Sequence, residues 1–167
     1  MDKKLLYKRA YRILENCTPL KIDCGLICGR KCCSGDRNTG MHLYPGEEVL
    51  LSSPEPGFLK IRKEIFAGSE ILFAVCTGRC ERRRRPLACR IYPYVPYLDS
   101  KNRLSVIADP RAKYICPLLM ESAEVKTDFR FLRKLRKIFR LMIDDPEIHK
   151  YIRALSEELD EYMRFVG

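Results

Sequence analysis

Cys24, Cys28, Cys32 and Cys33 fall within ten consecutive positions, and nothing else in the chain restricts its fold as strongly. Thiols crowded in this way either cross-link or hold metal, and the redox compartment decides which. The opening MDKKLLYKRAYRILENC is basic, with no unbroken apolar stretch and no small-residue cleavage pattern, so it does not read as a signal peptide. No later segment approaches the roughly 20 apolar residues that cross a bilayer. The expectation is a cytoplasmic chain without membrane insertion, whose thiols stay reduced and bind a metal ion or cluster. Buried cysteine acting as a small hydrophobe accounts for one or two scattered residues, not for four together.

The remaining cysteines extend the set. Cys76 and Cys80 are spaced by three residues, Cys89 follows, and Cys116 precedes Pro117. Cys17 ends the first helical stretch, apart from these groups, and is set aside. Eight candidates remain: Cys24, Cys28, Cys32, Cys33, Cys76, Cys80, Cys89 and Cys116. Soft thiolate donors select zinc or an iron–sulfur cluster, 4Fe-4S included. Neither the C-x2-C knuckle of zinc fingers nor the C-x2-C-x2-C run of bacterial ferredoxins is present, so spacing leaves the two open. Adjacent side chains diverge, so Cys32 and Cys33 serve one ion only through a distorted loop. Eight thiolates suit two sites or one site with spares. His42 is near enough to the first group to be a candidate ligand, whereas His149 reads as a surface residue.

Hydrophobic residues at 46% and charged residues at 32% of 167 describe an ordinary globular composition. Residues 3–16 read as a helix with Leu5, Leu6, Ala10, Ile13 and Leu14 at helical spacing. Residues 20–40 lack a period and form a ligand-bearing loop whose fold depends on the metal. A short helix starts at Pro45-Gly46-Glu47-Glu48 and ends near Ser52. Strands are expected over 58–62 and 70–75, joined by a turn containing Gly68, and a second hairpin joins Tyr92–Leu98 to Leu104–Ile107. Pro93 and Pro96 limit the first strand of that hairpin to an edge or an irregular path. A helix over 125–143 places Phe129, Leu132, Leu135, Ile138, Phe139 and Met142 on one face. A last helix begins at Asp145-Pro146-Glu147, burying Ile148, Ile152, Leu155, Leu159 and Met163. The fold class expected is α+β: a cysteine-rich, metal-stabilised core with short β-hairpins, an N-terminal helix and a C-terminal antiparallel helix pair. The cysteine-cluster domain would span 1–120 and the helical hairpin 121–167.

The stretch Cys80-Glu81-Arg82-Arg83-Arg84-Arg85-Pro86-Leu87-Ala88-Cys89-Arg90-Ile91-Tyr92-Pro93 resembles the C-x(n)-RP-x2-CR-x2-P signature of the YkgJ-type cysteine-cluster family. Cys24 and the later Cys32-Cys33-Ser34-Gly35 resemble that family's opening segment. The resemblance covers about residues 20–120 and implies a zinc- or iron-chelating domain. It places Cys24, Cys28, Cys32, Cys33, Cys80 and Cys89 as ligands, with Cys76 and Cys116 added. Similar segments occur in flagellin lysine N-methylases. Two features depart from the pattern. A run of arginines stands where the family has a hydrophobic-Tyr pair, and little chain follows the cluster segment.

A formal charge of +10 makes an anionic partner conceivable through Arg82, Arg83 and Arg84. The simpler reading is that arginines beside a thiolate centre offset its negative charge, and that charge runs are solvated. No phosphate loop, dinucleotide fingerprint or Ser-His-Asp arrangement is present, so an enzymatic role is left open. Three functions are therefore expected in turn. The first is a metal or cluster protein with a redox, sensing or metal-handling role. The second is an enzyme related to flagellin lysine N-methylases, and the third a zinc-stabilised nucleic-acid-binding protein.

Overall fold

The computed structural model describes residues 2–33, 39–51, 59–76, 84–120 and 126–166, with Cys33 described through its backbone alone. The chain is mixed α+β with small antiparallel sheets. Helix α1 spans Lys3–Leu14, capped where the Asp2 carboxylate accepts from the Lys4 N–H. Its buried face is Leu6, Tyr7, Ala10 and Leu14. Leu5, expected on that face, is exposed, and Tyr7 takes its place in the core.

The expected ligand loop contains two tight turns. Helix α2 spans Gly25–Cys28, and a 3-10 turn spans Lys31–Cys33. Strand β1, Gly40–His42, then joins the hairpin of β2, Leu59–Phe66, and β3, Ser69–Cys76, in the order β1-β3-β2. The hairpin is longer than the apolar runs suggested, because Phe66 pairs with Ser69 and leaves a two-residue turn. Ala67 and Gly68 both take positive φ there, 48° and 71°, the geometry that matches strand twist. The helix expected near 45–52 is a 3-10 turn at Glu47–Leu50.

Helix α3, Leu87–Ile91, has no counterpart in the sequence reading, since five residues give no period. Strands β4, Tyr94–Leu98, and β5, Leu104–Ala108, form the second hairpin. Pro96 is tolerated because β4 pairs with one strand only. On its other side, Leu98 N–H donates to Ser156 Oγ at 2.9 Å. Helix α4 spans Phe129–Met142 and helix α5 spans Pro146–Val166. α4 lies along α1 and β5, α5 along β4, and each packs more closely on these elements than on the other helix.

One hydrophobic core draws residues from α1, α3, β4, α4 and α5. On α4 the buried face is Phe131, Leu135, Ile138, Phe139 and Met142, whereas Phe129 is 67% exposed. The helix starts at Asp128, whose carboxylate caps Arg130 N–H. Phe131 lies four residues before Leu135 and shares its face, whereas Phe129 lies six residues before it and turns to solvent. On α5, Ile148, Ile152, Leu155 and Leu159 are buried as the spacing predicts, and Met163 is exposed. A small second cluster of Leu43, Leu51, Leu59 and Ala74 lies on the three-stranded sheet.

Truncating the two phenylalanines separates these readings. Phe131→Ala should cost about 3–5 kcal/mol of stability, and Phe129→Ala no more than about 0.5 kcal/mol. Urea unfolding followed by circular dichroism measures both, and a large loss for Phe129→Ala would contradict the described face.

Candidate metal centre

Cys24 stands at the start of α2 and Cys28 at its end, so one helical turn presents both thiols. Cys28 Sγ contacts the Cys24 carbonyl at 3.7 Å. Gly29 stops the turn in the left-handed conformation, φ 58°. The chain then enters the 3-10 turn that carries Cys32. Cys89 sits in the middle of α3, and Cys116 opens the turn Pro117–Leu119.

These five cysteines, drawn from four segments spread over more than ninety positions of the sequence, line one small cavity. Its volume is about 40 Å³. Pro19, Ile27, Ile115, Pro117 and Leu118 give it apolar walls, and Arg85 and Arg90 bring positive charge. Among the described residues, no three of the His, Cys, Asp and Glu side chains stand close enough together to hold an ion as placed. What is formed is a convergence of donors, not a closed coordination shell.

The other candidates are distributed as follows. Cys76 is buried at the end of β3, where its N–H donates to the Thr39 carbonyl, and it is not among the residues lining this cavity. The Cys33 side chain and Cys80 lie outside the described residues, as do Arg82 and Arg83. Arg84 is exposed. Cys17, set aside from the ligand set, packs against the hydrophobic core. His42 is directed elsewhere. Its ring meets Phe66 and Phe73 edge-on at 5.0 and 5.4 Å, and its Nε2 is 3.6 Å from Glu64. His149 is near Asn102 on the surface.

The thiols influence one another. Burial pushes the Cys116 thiol up, and the neighbouring Cys24 and Cys28 push it further. The Tyr92 hydroxyl is raised by burial first, then by Cys116 and Cys32. Thiolates gathered here would repel, which a bound cation offsets.

The anchor of the site is a residue that sequence reasoning treated as an ordinary first-turn acid. Glu47 is fully buried. Its carboxylate accepts from Leu87 N–H at 2.5 Å, Tyr44 N–H at 3.1 Å and Tyr11 O–H at 2.5 Å. Leu87 is the first residue of α3, so this carboxylate holds the helix that bears Cys89. Arg90, 6% exposed, stacks on the Tyr11 ring at 4.1 Å and donates from Nε to the Arg85 carbonyl at 2.9 Å. The only signal in the sequence was an acid set between two apolar pairs, Leu43-Tyr44 and Leu50-Leu51.

Comparison with family models, with curated proteins and with solved structures gives no match. The YkgJ-type resemblance therefore rests on the motif residues themselves. No helix among the described residues is long and apolar enough to cross a membrane.

Burial raises the Glu47 carboxyl above its ordinary range, against the opposing pull of its hydrogen bonds. A carboxyl raised on folding contributes stability that is present below its unfolded pKa and lost as pH rises through its folded value. The stability difference between wild type and Glu47→Gln should therefore shrink as pH rises above the usual carboxylate range. At neutral pH the substitution should still cost about 1–3 kcal/mol, because an amide cannot accept from all three donors. Urea unfolding at a series of pH values tests both signs.

Proposed function

We propose that this protein binds a metal centre, either an iron–sulfur cluster or zinc, through clustered cysteine thiolates, with a redox, sensing or metal-handling role. The observation that carries the reading is the convergence of Cys24, Cys28, Cys32, Cys89 and Cys116 on one cavity from four segments. Scattered structural cysteines have no reason to meet in this way. Cys33, Cys76 and Cys80 stay in the proposed set as candidates for further ligation, by their spacing and the YkgJ-type resemblance.

The donor chemistry fits the group. Thiolate sulfur is soft and anionic, suited to zinc or iron–sulfur centres. Arg85 and Arg90 line the cavity and offset the charge such a centre carries. A four-thiolate zinc ion would act structurally, whereas a cluster would supply one-electron chemistry. Ile27 and Ile115 give the cavity apolar walls, although both are about half exposed. Leu87 and Ile91, both buried, hold Cys89 from the core side. The anionic-partner reading through Arg82, Arg83 and Arg84 and the methylase-related reading gain no observation here.

Anaerobic purification, visible absorbance and analysis for iron, sulfide and zinc test the proposal. Brown protein with iron and acid-labile sulfide identifies a cluster, and colourless protein with stoichiometric zinc identifies a structural site. Cys28→Ser and Cys89→Ser should each lower metal content by at least about tenfold in affinity, about 1.4 kcal/mol. Metal-free protein that keeps full stability in both variants would refute the reading.

A further inference from the structure

A second cavity adjoins the thiol cavity. It measures about 400 Å³, and Cys32, Tyr92 and Ile115 belong to the walls of both. We infer that this second cavity binds a planar, uncharged conjugated ring bearing carbonyl or ring-nitrogen acceptors, with one edge toward Cys32.

The walls define the ligand. Tyr44, Phe73, Tyr92, Tyr94 and Tyr151 contribute five aromatic side chains. Tyr44 and Tyr151 meet edge-on at 5.4 Å, and both are buried, so these rings are fixed before any ligand arrives. Such surfaces favour flat conjugated molecules through stacking and edge contacts. The volume is within the range of small-molecule sites, about 300–1,000 Å³.

Apart from the exposed Lys31, the charged groups of the wall are paired. Arg111 donates to Asp109 from Nε and a terminal nitrogen, at 3.0 and 2.9 Å, and to Glu158 at 2.5 Å. The guanidinium thus has no surplus charge for an anion, and Asp109 none for a cation. His42 is the polar group set among the rings. Burial pushes its pKa down, against Glu64, whose carboxylate lies 3.6 Å from Nε2, so the other ring nitrogen is the one left to meet a ligand edge. The hydroxyl of Tyr92, on the same wall, can donate to an acceptor at the ring's edge, and a hydrocarbon offers none.

The site does not depend on which metal the thiols hold. Its position does connect it to them, because any occupant shares the Cys32 and Tyr92 wall with the centre. Flavin-like heterocycles and quinones share the required chemistry. Lumichrome and duroquinone represent them as probes, the latter fully substituted and so presenting no ring position for thiol addition.

Calorimetric titration of the purified full chain should show saturable one-to-one binding of at least one probe. From the efficiency of drug-sized ligands, the dissociation constant should be on the order of 100 µM. The tighter probe separates a heterocycle from a quinone. Val95→Trp, which fills the cavity, should weaken binding at least about tenfold, with circular dichroism checking the fold. His42→Phe keeps the ring packing against Phe66 and Phe73, and should weaken binding about fivefold or more through loss of its polar atoms. Lys137→Ala, exposed on α4 and in neither cavity wall, should leave binding within about twofold. Failure of both probes to bind, or undiminished binding in both cavity variants, overturns the inference. Metal loading without ring binding would sink this site and spare the metal reading, and ring binding by a protein that holds no metal would do the reverse.

Discussion

A carboxylate with no solvent contact is expensive to keep, and Glu47 is retained by three donors that come from three parts of the chain. Tyr11 O–H belongs to α1, Tyr44 N–H to the segment after β1, and Leu87 N–H to the start of α3. Each of these groups would itself be buried without a partner if the carboxylate were removed. The desolvation cost of the acid and that of its donors therefore cancel only when all three segments are in place. Arg90, stacked on the same Tyr11, adds positive charge on the far side. This junction decides where α3 begins, and with it where Cys89 points.

From that junction the thiol cavity divides into two halves of different character. Cys89 and Cys116 are rooted in packed structure, with Leu87 and Ile91 buried around the first and Ala112 buried shortly before the second. Cys24, Cys28 and Cys32 ride on short turns whose apolar residues, Ile22, Leu26 and Ile27, remain largely exposed. A five-ring aromatic cluster and two helices cannot hold those turns from a distance. Closing a coordination shell would supply the missing constraint, since binding free energy of a metal is folding free energy for the segment that provides ligands.

How much of this was legible follows from how each signal arises. Long periodic segments declared themselves: α5 buries Ile148, Ile152, Leu155 and Leu159 at the spacing read from sequence, and the β2–β3 hairpin lies where alternation and Gly68 put it. Short elements did not. β1 has three residues and α3 five, fewer than either period needs to show itself. On α4 the sequence reading put Phe129 on the buried face, but Phe131, four residues before Leu135 and eight before Phe139, takes that place. The cysteines were visible as residues, yet the partition among them was not. That Cys116 joins Cys24, Cys28, Cys32 and Cys89 while Cys76 ends a strand elsewhere is a property of tertiary path, which spacing cannot encode.

The arginines were the most ambiguous sequence feature, and their placement divides them by role. Arg85 and Arg90 line the thiol cavity, while Arg84 faces solvent. Within the segment Arg85-Pro86-Leu87-Ala88-Cys89-Arg90-Ile91-Tyr92-Pro93 each marked residue has a physical task. Pro86, whose missing N–H costs nothing there, precedes the first turn of α3. The Arg85 carbonyl receives Arg90 Nε, which closes the helix back on its own entry. Pro93 follows α3, and its carbonyl receives Asp109 N–H, fixing the base of the β4–β5 hairpin beside the cavity. The motif is thus a clamp that sets one thiol and two positive charges against a hydrophobic core.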